Sequence, residues 1–235
     1  MGDVVAEDEV RDRLALALDL DDLVAALRLG RSLREFFGVA KVGLELFSAA
    51  GPEAIGALND LGFRVFLDLK LHDIPTTVGR AARVLGAFGV QYLTLHASGG
   101  DEMLRAGVEG LAEGAANAGV SPPCSLAVTV LTSDRDAPES LLGSRVQMAA
   151  DAGCGGVVCA AGDLAVVNAH GPGLVRVTPG IRLPGDSADD QARAAGPAQA
   201  LAAGSDLLVV GRSVTRADDP VAAAARLHRA MVGES

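Results

Sequence analysis

The sequence predicts a single closed (β/α)8 barrel, and three observations carry that prediction. Short apolar runs alternate with alanine-rich amphipathic stretches along the whole chain, at roughly thirty-residue spacing. Eight such runs can be counted, the number that closes a parallel sheet inside a ring of helices. No Gly-x-Gly-x-x-Gly follows the first run, which argues against the open doubly wound sheet that is the next best reading. The 235 residues fit one barrel, with no low-complexity segment or linker, so residues 1–235 are read as one domain.

The first strand, Leu14–Asp19, sets Leu14, Leu16 and Leu18 on one face and Ala15, Ala17 and Asp19 on the other. Helical spacing follows over Asp22–Phe37. Val39–Gly43 is the second strand, with Lys41 near its end, and Pro52–Leu61 its helix. In the third, Phe63–Lys70, the apolar Phe63, Val65, Leu67 and Leu69 suit packing against helices. Its other face carries Arg64, Phe66, Asp68 and Lys70. Thr77–Phe88 returns to the fourth strand, Tyr92–His96, where Leu93 and Leu95 oppose Tyr92, Thr94 and His96. Glu102–Ala118 leads to the fifth strand, Ser125–Leu131, and Arg145–Ala152 to the sixth, Gly155–Ala160. A short helix after Gly162 precedes the seventh strand, Leu174–Thr178. Residues 184–190 read as a long mobile loop before a helix at Asp190–Ala203. The eighth strand, Asp206–Gly211, and a helix at Pro220–Val232 complete the pattern.

Composition narrows the function. A formal net charge of −10 argues against nucleic acid or a membrane surface as the main partner, and 3% aromatics with no Trp leaves little for base stacking. No apolar run reaches the ~18 residues of a membrane span, and Met1 to Asp12 lacks a signal peptide's basic start and apolar core. The three cysteines, Cys124, Cys154 and Cys159, form no metal-binding spacing and read as reduced core residues of a cytoplasmic protein.

Of the 20 basic residues only Lys41 and Lys70 are lysines. A lysine can donate a proton near neutral pH and an arginine cannot. Strand phase brings both to one rim with Asp19 and Asp68, and in a barrel the C-terminal rim is the catalytic face. Structural ion pairs would be served equally well by arginine, which the chain uses everywhere else. A second constellation follows the last two strands: Thr178-Pro-Gly-Ile-Arg182 and Gly211-Arg212-Ser213, with Gln191 on the intervening loop. Barrels commonly bind phosphate there, through glycine amides and an arginine, so a small phosphorylated substrate is expected.

The decapeptide Asp68-Leu-Lys-Leu-His-Asp-Ile-Pro-Thr-Thr77 closely resembles the signature of the orotidine 5'-phosphate decarboxylase family, in its bacterial His-Asp-Ile-Pro spelling. The similarity extends in order over Ala17-Leu-Asp19, Lys41-Val-Gly43, Leu95-His-Ala97, Val128-Thr-Val-Leu-Thr-Ser133, Thr178–Arg182 and Gly211-Arg212. Thr76 stands where Asn is common, and Ala160 where Ser often follows the cysteine. The resemblance implies decarboxylation of orotidine 5'-phosphate to uridine 5'-phosphate and carbon dioxide, the last step of UMP synthesis, with no metal or organic cofactor. It also implies a role for each matched position. Lys70 resembles the proton donor, Asp68 the carboxylate set against the leaving group, and Asp19 and Lys41 the ribose-binding pair, Lys41 also belonging to the charge network. Asp73 and Thr77 would enter the site from the partner subunit of a homodimer, and Ile74 of the same loop would contact substrate. Thr132 resembles a pyrimidine contact, with Thr129 and Ser133 as alternatives; Arg182, Gln191, Gly211 and Arg212 resemble the phosphate grip. His72 and His96 read as packing residues. The rival reading is a Mg²⁺-dependent barrel, such as a 3-keto-gulonate-6-phosphate decarboxylase or a hexulose-phosphate synthase.

Overall fold

All eight apolar runs form strands of one parallel sheet, and the sheet closes on itself in sequence order, β1 pairing with β2 on one side and β8 on the other. The computed structural model describes residues 7–131, 134, 137–183 and 195–232. A short helix α1 (Glu7–Asp12) leads into β1 (Leu14–Ala17), α2 (Leu23–Leu33) and β2 (Val39–Gly43). Then come α3 (Leu44–Ala50), α4 (Glu53–Asp60), β3 (Arg64–Leu71), α5 (Pro75–Gly86) and β4 (Tyr92–His96). The second half runs α6 (Asp101–Ala118), β5 (Cys124–Val128), α7 (Glu139–Asp151), β6 (Gly156–Val158), α8 (Leu164–His170) and β7 (Val175–Thr178). It ends with α9 (Pro197–Ala202), β8 (Leu207–Val210), α10 (Arg212–Thr215) and α11 (Pro220–Val232).

Several boundaries differ from the sequence reading for identifiable reasons. Helix α5 starts at Pro75, two residues before the expected Thr77, because proline's fixed φ and missing N–H suit the first helical turn. Helix α7 likewise begins early, at Glu139 directly after Pro138. Strand β5 stops at Val128, not Leu131. There Arg145 donates to the Thr129 carbonyl at 2.7 Å, and the Thr129 hydroxyl donates to the Val158 carbonyl at 3.2 Å, which turns the chain out of the ladder. Helices α1, α3 and α10, unexpected from sequence, are 6, 7 and 4 residues long, too short for a periodic signal. The loop expected at 184–190 lies outside the described residues.

Strand alternation sorts the core as expected. Leu14 and Leu16 of β1 and Leu18 just after it, with Val65 and Leu67 of β3, face outward into a cluster beneath α2, α4 and α11. Their inward neighbours Ala15, Ala17 and Phe66 fill the barrel with Val39, Leu126 and Val177. Phe66 meets Tyr92 edge to face at 5.8 Å, near the barrel floor. A separate outer cluster joins Leu95 and Ala127 to Met103, Leu104, Val146 and Val167 on α6, α7 and α8.

Helices α5 and α6 approach until backbone touches backbone. A Cβ on Gly86 would lie 2.5 Å from the Leu111 carbonyl, and one on Gly114 would fall inside the Arg83 carbonyl. Only glycine permits that spacing. It fixes α5 on the barrel wall, and with it the loop that α5 begins.

Candidate active site

The site is built on an irregularity of β3. Leu67 pairs with Leu93, but Leu71 pairs with Leu95, so Asp68, Leu69 and Lys70 together oppose Thr94. The surplus residues bulge, and Lys70 takes a φ of 51°, the only positive φ at a non-glycine among the described residues. Such a backbone state is costly for a side chain with a Cβ and persists only where its surroundings hold it.

The bulge aims the Lys70 ammonium at its own strand's carboxylate. Lys70 Nζ lies 2.8 Å from Asp68 Oδ1, and the other carboxylate oxygen, Oδ2, lies 3.7 Å from Lys41 Nζ. Lys41 in turn donates to Asp19 Oδ1 at 2.9 Å. Alternating charges thus run Asp19, Lys41, Asp68, Lys70 across the ends of β1, β2 and β3. Asp68 and Lys41 are mostly buried, 15% and 11% of their side chains exposed, and such depth is tolerable because each faces an opposite charge. Gly43 belongs to this packing, since a Cβ there would come within 3.2 Å of Lys41 Nζ and 3.3 Å of Asp19 Oδ1.

These four residues line one side of a cavity of about 230 Å³ at the C-terminal mouth of the barrel. Pro179, Gly180, Ile181 and Arg182 after β7, with Gly211 and Arg212 after β8, line the other. Gly180 has a φ of 82°, which lets the chain double back beneath the ligand space. Arg182 Nη1 is 3.4 Å from Ser213 Oγ, and that hydroxyl donates to the Ile181 carbonyl at 3.2 Å, tying the two loops together. Between the charged ends the wall is apolar: Phe66, Val128, Val158 and Val209. A cavity with an ammonium–carboxylate pair at one end, two guanidiniums at the other and a dry middle suits a flat ring joined to an anionic tail.

Of the expected site residues, Asp19, Lys41, Asp68, Lys70, Arg182, Gly211 and Arg212 therefore meet in one cavity. Asp73, Ile74 and Thr77 do not line it; they stand exposed on the loop and first turn of α5, with Asp73 Oδ1 accepting the Ile74 amide at 2.6 Å. Thr132, Ser133 and Gln191 lie outside the described residues. Thr129 is wholly buried. Rings of His72 and His96 stack at 5.3 Å beside the cavity, and burial, helped by His72, pushes His96 below its ordinary value. Cys154 and Cys159 are buried, and burial raises all three thiols, Cys159 to about 12. Sequence reasoning missed the apolar wall, whose signal is the inward phase of β3, β5, β6 and β8, and it missed the part played by Thr94.

Comparison with known proteins agrees with this geometry. A family model described as "Orotidine 5'-phosphate decarboxylase / HUMPS family" matches residues 12–227. A protein of Parasynechococcus marenigrum (strain WH8102) named Orotidine 5'-phosphate decarboxylase is 46% identical, covering 94% of this chain and 95% of its own. One of the same name from Moorella thermoacetica is 44% identical over 91% and 90%. The crystal structure of orotidine 5'-phosphate decarboxylase from Lactobacillus acidophilus superposes with a TM-score of 0.78 at 36% identity, covering 94% of this chain and 99% of that one. With the fold, the charged rim and these relatives in agreement, the chain belongs to the orotidine 5'-phosphate decarboxylase / HUMPS family.

Proposed function

We propose that this protein is a carboxy-lyase that converts orotidine 5'-phosphate to uridine 5'-phosphate and carbon dioxide in pyrimidine biosynthesis. The observation that carries this reading is the Asp68–Lys70 pair, 2.8 Å apart in a cavity whose far side presents Arg182 and Arg212. The relatives' shared name supports the substrate.

The reaction breaks the bond from C6 of the pyrimidine to its carboxylate. Carbon dioxide leaves, the electron pair stays on C6, and Lys70 Nζ delivers a proton there, to be recovered from water. The pyrimidine offers no adjacent electron sink for that pair, so a fixed cation beside C6 is the main stabilisation available. Asp68 orients the Lys70 ammonium and lies where the substrate carboxylate must sit, so like charges are relieved as carbon dioxide departs. Asp19 and Lys41 hold the ribose hydroxyls, and Arg182, Gly211 and Arg212 the phosphate. Binding energy from the phosphate, remote from the breaking bond, keeps the charged cluster closed around the ring.

The working enzyme is a homodimer with shared sites. Asp73, Ile74 and Thr77 are displayed outward instead of lining their own cavity, and Ile74 is 65% exposed, unusual for so large an apolar side chain. A partner's rim would cover Ile74 and receive Asp73 beside its Lys70. Two deeply buried cysteines kept as free thiols suit a reducing cytoplasm.

Orotidine 5'-phosphate added to protein exhaustively treated with EDTA tests the reading: the orotate absorbance should fall as uridine 5'-phosphate forms. Unchanged orotate absorbance, with Mg²⁺-dependent release of carbon dioxide from a 3-keto sugar-acid 6-phosphate, would point instead to the enediolate chemistry of the rival reading.

A further inference from the structure

Thr94 is a polar side chain in the middle of β4, between the buried Leu93 and Leu95, with no exposed surface. A buried hydroxyl needs partners. Its oxygen accepts the Lys70 backbone N–H at 2.8 Å and donates to Asp68 Oδ1 at 3.1 Å. One hydroxyl therefore grips both members of the central pair, and it does so from the strand against which β3 loses register.

The register explains why a hydroxyl is needed at this position. Asp68, Leu69 and Lys70 share the space opposite Thr94, so the Lys70 amide has no regular carbonyl facing it across the ladder. Thr94 Oγ1 replaces that carbonyl and anchors Lys70 at its positive φ. Without the anchor, β3 gains by relaxing from the positive φ toward ordinary extended backbone, and the Lys70 ammonium leaves the position that the bulge gives it beside Asp68 Oδ1. The hydroxyl's own proton lands on Asp68 Oδ1, the same oxygen that faces Lys70 Nζ. That second bond fixes the carboxylate's rotation and leaves Oδ2 toward Lys41.

We propose that Thr94 is a positioning residue for decarboxylation: its hydroxyl holds the β3 bulge that delivers the Lys70 ammonium and orients Asp68 beside it. Thr94 touches no reacting atom. The inference rests on Lys70 being the proton donor. A misplacement of the donor by about an ångström acts on the chemical step and leaves the phosphate and ribose contacts in place.

The test compares Thr94→Val, which keeps the shape and removes the hydroxyl, with Thr94→Ser, which keeps the hydroxyl. Thr94→Val should lower kcat by about ten- to a hundredfold with KM for orotidine 5'-phosphate within about threefold of native. Uridine 5'-phosphate, titrated by calorimetry, should bind the variant with near-native affinity. Thr94→Ser should return kcat to within about threefold of native. A Thr94→Val protein that is folded, binds uridine 5'-phosphate and keeps native kcat overturns the inference, as does a Thr94→Ser protein no better than the Val variant. If Thr94→Val does not fold, Thr94→Cys decides, since a thiol is a poor substitute for both bonds. Native kcat in the Cys variant overturns the inference, and a several-fold loss at unchanged uridine 5'-phosphate affinity supports it. Native protein without turnover would sink the functional reading and this inference with it; native turnover with an unaffected Val variant would sink this inference alone.

Discussion

Lys70 combines the chemical role proposed for it with a backbone state that only its surroundings maintain. Its type was readable: in a chain that uses arginine almost everywhere, two lysines at strand ends stand out. Its φ was not, because a bulge depends on how β3 and β4 pair, and pairing register leaves no mark on either strand alone. Thr94 escaped for a related reason, since a threonine in a strand is ordinary by propensity and becomes notable only when its hydroxyl is seen meeting Lys70 and Asp68. The donor assignment makes a sharp prediction. Lys70→Arg keeps the positive charge, but a guanidinium is larger, planar and does not release its proton near neutral pH. It should retain less than about a tenth of native kcat, a loss above roughly 1.4 kcal/mol in barrier, in a folded protein. Steady-state turnover of orotidine 5'-phosphate measures it; a larger residue would reassign the donor.

Elements were legible in proportion to their length and to how much they bury. β2 and β4 run just as alternation predicts, because each residue of a barrel strand faces either the helices or the interior. The closeness of α5 and α6 was hidden, since glycine in a helix ordinarily signals weakness, not contact. The structure separates the two meanings. Gly56 in α4 has nothing within 4 Å of a Cβ, whereas a Cβ on Gly114 meets the main chain of α5 at Arg83. Gly56→Ala should stabilise the fold by about 0.5–1 kcal/mol through helix propensity alone. Gly114→Ala gains the same propensity but forces two backbones apart, and should destabilise by about 1–3 kcal/mol net. Urea unfolding of the pair checks the contrast, and equal shifts in the same direction would refute the close packing. Catalysis should also suffer in Gly114→Ala, because α5 carries the loop bearing Asp73.

At the scale of the whole molecule, the motif loop at the start of α5 is exposed in its own chain, as the proposed dimer with shared sites requires. Sequence alone could indicate this solely through family resemblance, because a residue that serves a neighbour looks like any exposed loop residue in its own chain. Complementation tests it. Mixing inactive Lys70→Ala with inactive Asp73→Ala, under conditions that let subunits exchange, gives about half hybrid dimers, each with one site free of both lesions, so activity should recover to roughly a quarter of native. No recovery, with exchange verified, would place Asp73 in its own chain's site. The pairing of β1 with β8 has a consequence of another kind, one for biosynthesis. While the chain emerges from the ribosome, β1 carries a bare edge that nothing can cap until the last strand has been made. Asp19, Lys41, Asp68 and Lys70 are translated in the first third of the chain, Arg182 and Arg212 near its end. The proposed site thus cannot assemble until β8 and the turn after it have been made, and the need for shelter from aggregation lasts just as long.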